Sequence, residues 1–344
     1  ALTMRGVGTR ATYGLGGLLM AAGFALIATT PGLAQYLAGA AIAGVGYTLC
    51  ATVPGVAVIN HWLPQRRALA IGAYMTIGGL GGVAGPLMVT GVVAITGTWR
   101  MHWWTMCISI LVLTVLAALT LKTAGPKTAG SSATGNAKST SKVFVTPTDW
   151  KLAEALRTPQ YYVIVAALTM TLFGGVTMNT WAVTHMGNLG IAAAVAATAL
   201  STHALINAFS RAFGGALATW IDPKWLLASA LVAEIMGMLS LAVADNLVAI
   251  GLFVIGEGYG FGMCFFATTM LLVNYYGPKE APKTMGTMHF ITTIAMIGPV
   301  LGGYVADNVG SFAGVFQGYA VLMCVCLVAV VLMRPPTKAT MASA

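Results

Sequence analysis

Apolar stretches of about 20 residues or more recur from one end of this chain to the other, and they leave few folds open. A helix rises about 1.5 Å per residue, so each stretch can cross a hydrocarbon core of about 30 Å. Ten spans are predicted, at residues 11–30, 34–61, 67–94, 101–121, 160–186, 192–219, 225–244, 247–276, 284–306 and 310–333. Several exceed the minimum length, which implies tilt or extension past the membrane. With 58% of its 344 residues hydrophobic and 7% charged, a soluble globule would lack the polar surface to cover its core. The alternating pattern of a membrane β-barrel is absent. The fold class is therefore all-α, a polytopic helical membrane protein.

The net charge of +9 does not point to nucleic acid, because basic residues in such a protein gather in cytoplasmic loops. Arg5, Arg10, Arg66, Arg67, the lysines and arginine between Lys122 and Arg157, Lys224, Lys279, Lys283, Arg334 and Lys338 fall in alternate loops. The opposite set holds only Arg100. The first set is expected in the cytoplasm, with both termini, and the membrane is expected to be the plasma membrane, or the inner membrane of a prokaryote. Residues 122–158 form the long polar stretch. Its centre, GSSATGNAKSTSK (130–142), has no apolar period and reads as a flexible linker. TPTDWKLAEALRTP follows, with proline near each end and Trp150, Leu152, Ala153 and Leu156 between, which predicts a short interfacial helix. Cys50, Cys107, Cys264, Cys324 and Cys326 all lie in apolar segments without metal-ligand spacing and read as packing residues. The opening ALTMRGVGTR leads straight into a span-length helix and is not a signal peptide.

An internal repeat runs through the chain. ALTMRGVGTR at residue 1 matches GALATWIDPK at 215 in the positions of its small, apolar and basic residues. WLPQRRALAIG (62–72) and YYGPKEAPKTMG (275–286) share that register, with Trp62 over Tyr276 and Gly72 over Gly286. Gly85-Pro86 and Gly298-Pro299 follow one residue out of it. The pattern predicts two homologous halves: four spans in 1–121, the linker and interfacial helix in 122–158, and six spans in 159–344. Residues 160–214 have no counterpart, so two further helices are expected ahead of Ala1.

Two helical halves joined by a long cytoplasmic loop resemble the major facilitator superfamily. Ala1–Arg10 and Gly215–Lys224 are similar to its loop motif, small-x-Leu-x-Asp-Arg-x-Gly-x-basic, although Arg5 and Thr219 stand where Asp is usual. GGLGGVAGP (78–86) resembles the glycine-rich fifth-helix motif of the antiporter branch, and GPVLGG (298–303) echoes it. LRTPQYYVIVAALTMTLFGG (156–175) and the Asn-x-x-x-Arg of Asn207 and Arg211 resemble the oxalate/formate antiporter and monocarboxylate transporter branch. The resemblance implies a two-half helical bundle and a cation in the eighth family helix that meets an anionic substrate. In the oxalate transporter a lysine of the eleventh helix adds a second cation. The matching position here is near Thr292, and residues 284–306 contain no lysine; His289 is the titratable group there. One fixed cation with a titratable or neutral partner suits a monocarboxylate better than a dicarboxylate.

Ionisable residues inside spans are costly, which makes each a candidate for function. His203, Asn207 and Arg211 are spaced four apart and fall in one column of a helix. A guanidinium can hold a carboxylate bidentately, with Asn207 as a further donor. The other reading of Arg211 is a side chain snorkelling to the cytoplasmic end of its helix. His289 reads as a ligand, a gate residue or a neutral helix contact, and His203 as a ligand or a contact near the outer end. Glu257 reads as a proton site, a partner for Arg211 in the empty state, or a protonated carboxyl bonded between helices. Glu234 ranks below it, because the resemblance makes its helix peripheral. The glycines of AGAAIAGVGY and GGLGGVAGP serve close helix packing, and Gly-Pro permits bending. GEGYGFG (256–262) lies inside a span with no preceding strand, so it is not a dinucleotide loop. The 19 methionines lack Met-x-x-Met spacing with Cys or His and read as packing.

The function expected is secondary active transport of a small organic anion by alternating access, as antiporter or proton symporter. Arg211, Asn207, His203, His289, Thr292 and Glu257 are the candidate substrate-binding residues. The alternative is a non-transporting membrane sensor or a truncated transporter product. No enzyme is expected, since no nucleophile, base and orienter converge. No cofactor and no metal are expected. The partners are a small carboxylate and the lipid bilayer, with no nucleic acid, and the protein is expected to be a monomer.

Overall fold

The computed structural model describes residues 8–120 and 143–337. Most of the Ala1–Arg10 loop motif and the expected flexible linker at 130–142 lie outside the described residues. Among those described there is no strand, and ten helical stretches are long and apolar enough to cross a membrane. The helices are α1 Thr9–Ala28, α2 Leu33–Cys50, α3 Thr52–Trp62, α4 Arg67–Thr96, α5 Trp99–Thr120, α6 Leu152–Ala155, α7 Pro159–Asn188, α8 Ala193–Leu217, α9 Pro223–Ala242, α10 Leu247–Tyr276, α11 Ala281–Thr292, α12 Gly298–Val309 and α13 Ala313–Leu332. Each of the ten coincides with a predicted span to within a few residues.

Local chemistry sets the ends and breaks. Asp222 caps α9, its carboxylate accepting the Lys224 N–H at 2.9 Å, and Pro223 takes the first turn, where no N–H is needed. Asn246 Oδ1 caps α10 by accepting the Val248 and Ala249 N–H groups, each at 3.0 Å. The second span breaks into α2 and α3 at Ala51, four residues after Tyr47 and three before Pro54, whose ring excludes the carbonyl of Cys50. In the ninth span, a 3-10 turn at Thr293–Ile297 precedes Pro299 and joins α11 to α12. The sister Gly85-Pro86 bends no such turn: α4 is α-helical throughout.

The chain divides into two compact units, Ala1–Arg67 with Gly81–Ala137, and Ala68–Leu80 with Lys138–Ala344. The first part of α4 thus packs with the second unit. In the first unit, α1 meets α2 backbone to backbone at Gly16 and Gly46, and at Gly23, Gly39 and Ala43. Gly17 seats Thr114 of α5.

In the second unit α10 is the central helix. Alternate glycines of GEGYGFG serve two neighbours: Gly256 and Gly260 lie against Ala233, Gly237 and Glu234 of α9, and Gly258 and Gly262 against His203, Ile206, Asn207 and Ser210 of α8. Residues two apart on a helix point to nearly opposite sides, so four glycines let α10 approach both neighbours at once. Many outward-facing residues are large and apolar, as with Val321 and Val325 of α13, which are 64% and 65% exposed. That surface suits lipid rather than water.

The expected interfacial helix is only the single turn α6, and its tryptophan does not face a membrane surface. Trp150 is buried, edge-on to Tyr276 at 5.7 Å, with its backbone N–H on the Tyr276 carbonyl at 3.0 Å. Segment 143–158 is strapped to the ends of α9 and α10: the Phe144 N–H donates to Asp222 at 2.9 Å, the Thr146 N–H to the Asn274 carbonyl at 2.8 Å, and Thr158 shares a 2.6 Å hydrogen bond with the Tyr276 hydroxyl. Backbone groups of a segment outside helix or sheet need partners, and here the helix ends supply several of them.

Candidate functional site

The sequence of α8 alternates small and apolar residues with Thr, Ser, Asn and Arg, so a polar column forms on an otherwise apolar helix. Arg211 donates to Asn207 Oδ1 from Nε at 3.2 Å and from Nη2 at 2.9 Å. Its Nη1 donates to the Met75 carbonyl of α4 at 3.3 Å. The guanidinium carbon stands 5.2 Å from the centroid of the Phe265 ring on α10, within cation–π range. The side chain therefore runs back toward the N-terminus of α8, as helical side chains do, and away from the Leu217 end that a snorkelling arginine would reach. Asn207 serves as an acceptor that orients the guanidinium, where a further donor was expected.

His289 joins this group through Phe265. Its ring stacks on the other aromatic at 5.7 Å and 26°, and its Nε2 is buried with no hydrogen-bond partner among the described residues. Thr292 is also buried, but its hydroxyl donates to the His289 carbonyl at 3.0 Å, a bond within its own helix. Thus Asn207, Arg211, Phe265 and His289 form one connected row across α8, α10 and α11.

His203 and Glu257 lie elsewhere. His203 stacks parallel to Phe253 at 6.1 Å, with Nε2 buried and unpartnered among the described residues. Glu257 has no exposure, and neither carboxylate oxygen has a hydrogen-bond partner there. It makes no hydrogen bond to Arg211: eight residues separate it from Phe265, about 12 Å along α10. Instead its helix neighbours Phe261 and Cys264 face Gly175 and Thr171 of α7. Glu234, ranked low on the sequence, is wholly buried and accepts the Thr171 hydroxyl at 2.8 Å. Sequence reasoning also missed Phe265 and Met75. Nothing distinguishes Phe265 within its apolar run, and a backbone carbonyl leaves no mark in a sequence.

Ten long apolar helical stretches that hold only a few ionisable groups define an integral membrane protein of the polytopic α-helical class. The chain belongs to the Major Facilitator Superfamily, whose family model matches residues 1–297. It is 28% identical over 156 residues to the oxalate:formate antiporter of Oxalobacter formigenes, a match covering 45% of this chain and 35% of that protein. The chain thus spans about a third of the length of that curated relative. Its fold is similar to that of the Escherichia coli fucose:proton symporter FucP, with a TM-score of 0.69, 16% identity, and coverage of 96% of this chain and 85% of that one. It is also similar to the human organic anion transporter MFSD10, with a TM-score of 0.71, 17% identity, and coverage of 95% and 78%. At these identities the likeness is one of fold.

Proposed function

We propose that this protein is a secondary transporter of a small organic anion, a monocarboxylate, working by alternating access. The observation that carries the reading is Arg211, a permanent cation within an apolar span, oriented by Asn207 and backed by Phe265. A cation at such depth calls for an anion, and a substrate carboxylate is an anion that arrives and leaves. Arg211 is the anchor, Asn207 positions it, and the unpartnered Nε2 of His289, whose ring also lies against Phe265, is a second ligand. Similarity to the oxalate:formate antiporter favours anion exchange, while the fold shared with FucP accommodates proton symport equally well. The lack of a second fixed cation near Thr292 favours monocarboxylates such as formate over oxalate. The site of action proposed is the plasma membrane, with both ends cytoplasmic.

Flux of formate, acetate and oxalate into proteoliposomes tests this. Arg211→Gln is expected to abolish flux while the protein still inserts and elutes as one species. Arg211→Lys keeps the charge but loses the planar fork, so flux should fall at least about tenfold. Ordinary formate flux in Arg211→Gln would move the anchor elsewhere. Carboxylate binding without flux would favour a sensor. Protease access to terminal tags in the same sealed vesicles reads the orientation.

A further inference from the structure

Helices α4 and α8 meet backbone to backbone, most tightly at Gly72 and Gly215. A Cβ on Gly72 would lie 2.7 Å from the Arg211 carbonyl oxygen and 2.8 Å from the Gly215 Cα, and one on Gly79 would lie 3.0 Å from the Ala208 Cα. Residues Ala68–Leu80 belong to the same unit as α8, so this contact lies inside one compact body. Gly72 and Gly79 are seven apart and share a face of α4 with Met75. Met75 presents its carbonyl to Arg211 Nη1 at 3.3 Å. A Cβ on Gly79 would stand 3.7 Å from the guanidinium carbon, an ordinary van der Waals contact, so a small side chain there is compatible with the Arg211 bond to Met75.

We propose that Arg211 is a latch as well as an anchor: it ties α4 to α8 through the Met75 carbonyl, and a bound carboxylate loosens the tie. The coupling half of this inference rests on the anchor reading above. The Met75 carbonyl sits mid-helix and serves the α4 ladder with one lone pair, so it offers Arg211 a neutral acceptor only. A carboxylate is charged and makes the stronger bond to a guanidinium. Drawn toward the anion, the guanidinium weakens its hold on α4. The glycine surfaces beneath have no side chains to interlock and are held by van der Waals contact. One side chain thereby reads both occupancy and helix contact, the differential interaction that a ligand-driven change requires. By reciprocity, anything that parts the helices tightens anion binding.

The test is a disulfide between cysteines at Gly79 and Ala208. A Cβ on Gly79 would lie 3.1 Å from the Ala208 Cβ, so the helices need part by only a few tenths of an ångström to reach the disulfide range of about 3.5–4.5 Å. The rate of copper-catalysed cross-linking is measured in proteoliposomes for G79C/A208C, with each single variant as control for the five native cysteines. Ready cross-linking is expected without ligand. Adding Arg211→Gln should slow it roughly tenfold, the effect of losing one hydrogen bond to a charged group, and Arg211→Lys should recover part of the rate. Formate, with binding measured separately by equilibrium dialysis, should slow cross-linking in the Arg211 protein and leave the Arg211→Gln rate unchanged. An Arg211→Gln protein that elutes as one species and cross-links at the parent rate overturns the latch, whether or not formate binds. Bound formate that leaves the rate unchanged overturns the coupling. A slow Arg211→Gln rate with no formate binding supports the latch and overturns the anchor reading instead.

Discussion

Asn207 is the residue on which the proposed site turns. Its Oδ1 takes two N–H groups of Arg211 and so fixes the plane of the guanidinium. Hydrogen bonds to charged groups contribute about 1.5–3 kcal/mol, so Asn207→Ala should raise the substrate KM by roughly tenfold or more. Fold and insertion should be unaffected, because the pair lies on a single helix. Asn207→Asp has the opposite chemistry: a carboxylate one turn from Arg211 neutralises it in place of the substrate. Flux should be lost, and the thermal midpoint in detergent should hold or rise. A rise in KM for neither variant would leave Asn207 without a positioning role.

At the scale of the helix, α10 is defined by where its glycines point. At Gly262 a Cβ would overlap the Asn207 carbonyl and the Ser210 hydroxyl of α8, whereas Gly251 has nothing within 4 Å. Gly262→Ala should therefore destabilise by about 1–3 kcal/mol, as overpacking does, and should also impair flux by moving Asn207. Gly251→Ala in the same helix should be neutral or stabilising by up to about 1 kcal/mol, since it gains helix propensity without a clash. Thermal unfolding in detergent reads both. Equal effects at the two positions would mean that the glycine contacts do not set the packing of α10. The glycine run was visible in the sequence as a packing feature; which glycine faces which helix was not. Gly72 and Gly286 make the same point, being matched in the repeat while only Gly72 is pressed against another backbone.

For the second unit as a whole, segment 143–158 acts as a strap on the helix ends. Trp150 fills a buried position against Tyr276, and truncating a buried tryptophan costs about 3–5 kcal/mol. Trp150→Ala should lower the thermal midpoint by several degrees and open 143–158 to protease, while Trp150→Phe should restore much of the loss. An unchanged midpoint and cleavage pattern would show that the strap contributes no stability.

The sequence by itself determined the ten spans, their ends and the all-α class. Each rests on local terms: apolar length against bilayer thickness, and caps such as Asp222 and Asn246; which prolines break a span was not legible, since Pro54 and Pro299 follow breaks while α4 runs unbroken through Gly85-Pro86. It also singled out Arg211 and Asn207, because an ionisable group in an apolar run is conspicuous and a four-residue spacing fixes their contact within one helix. Only the tertiary structure decided what depends on other helices. It brought Arg211 and His289 to the same Phe265 ring, parted Glu257 from Arg211, bonded Glu234 to Thr171, turned Trp150 inward, and grouped residues 68–80 with the second unit. These contacts join residues distant in sequence through rotations of whole helices about their axes. In an apolar environment nearly every face of a span is equally apolar, so periodicity does not say which face turns inward.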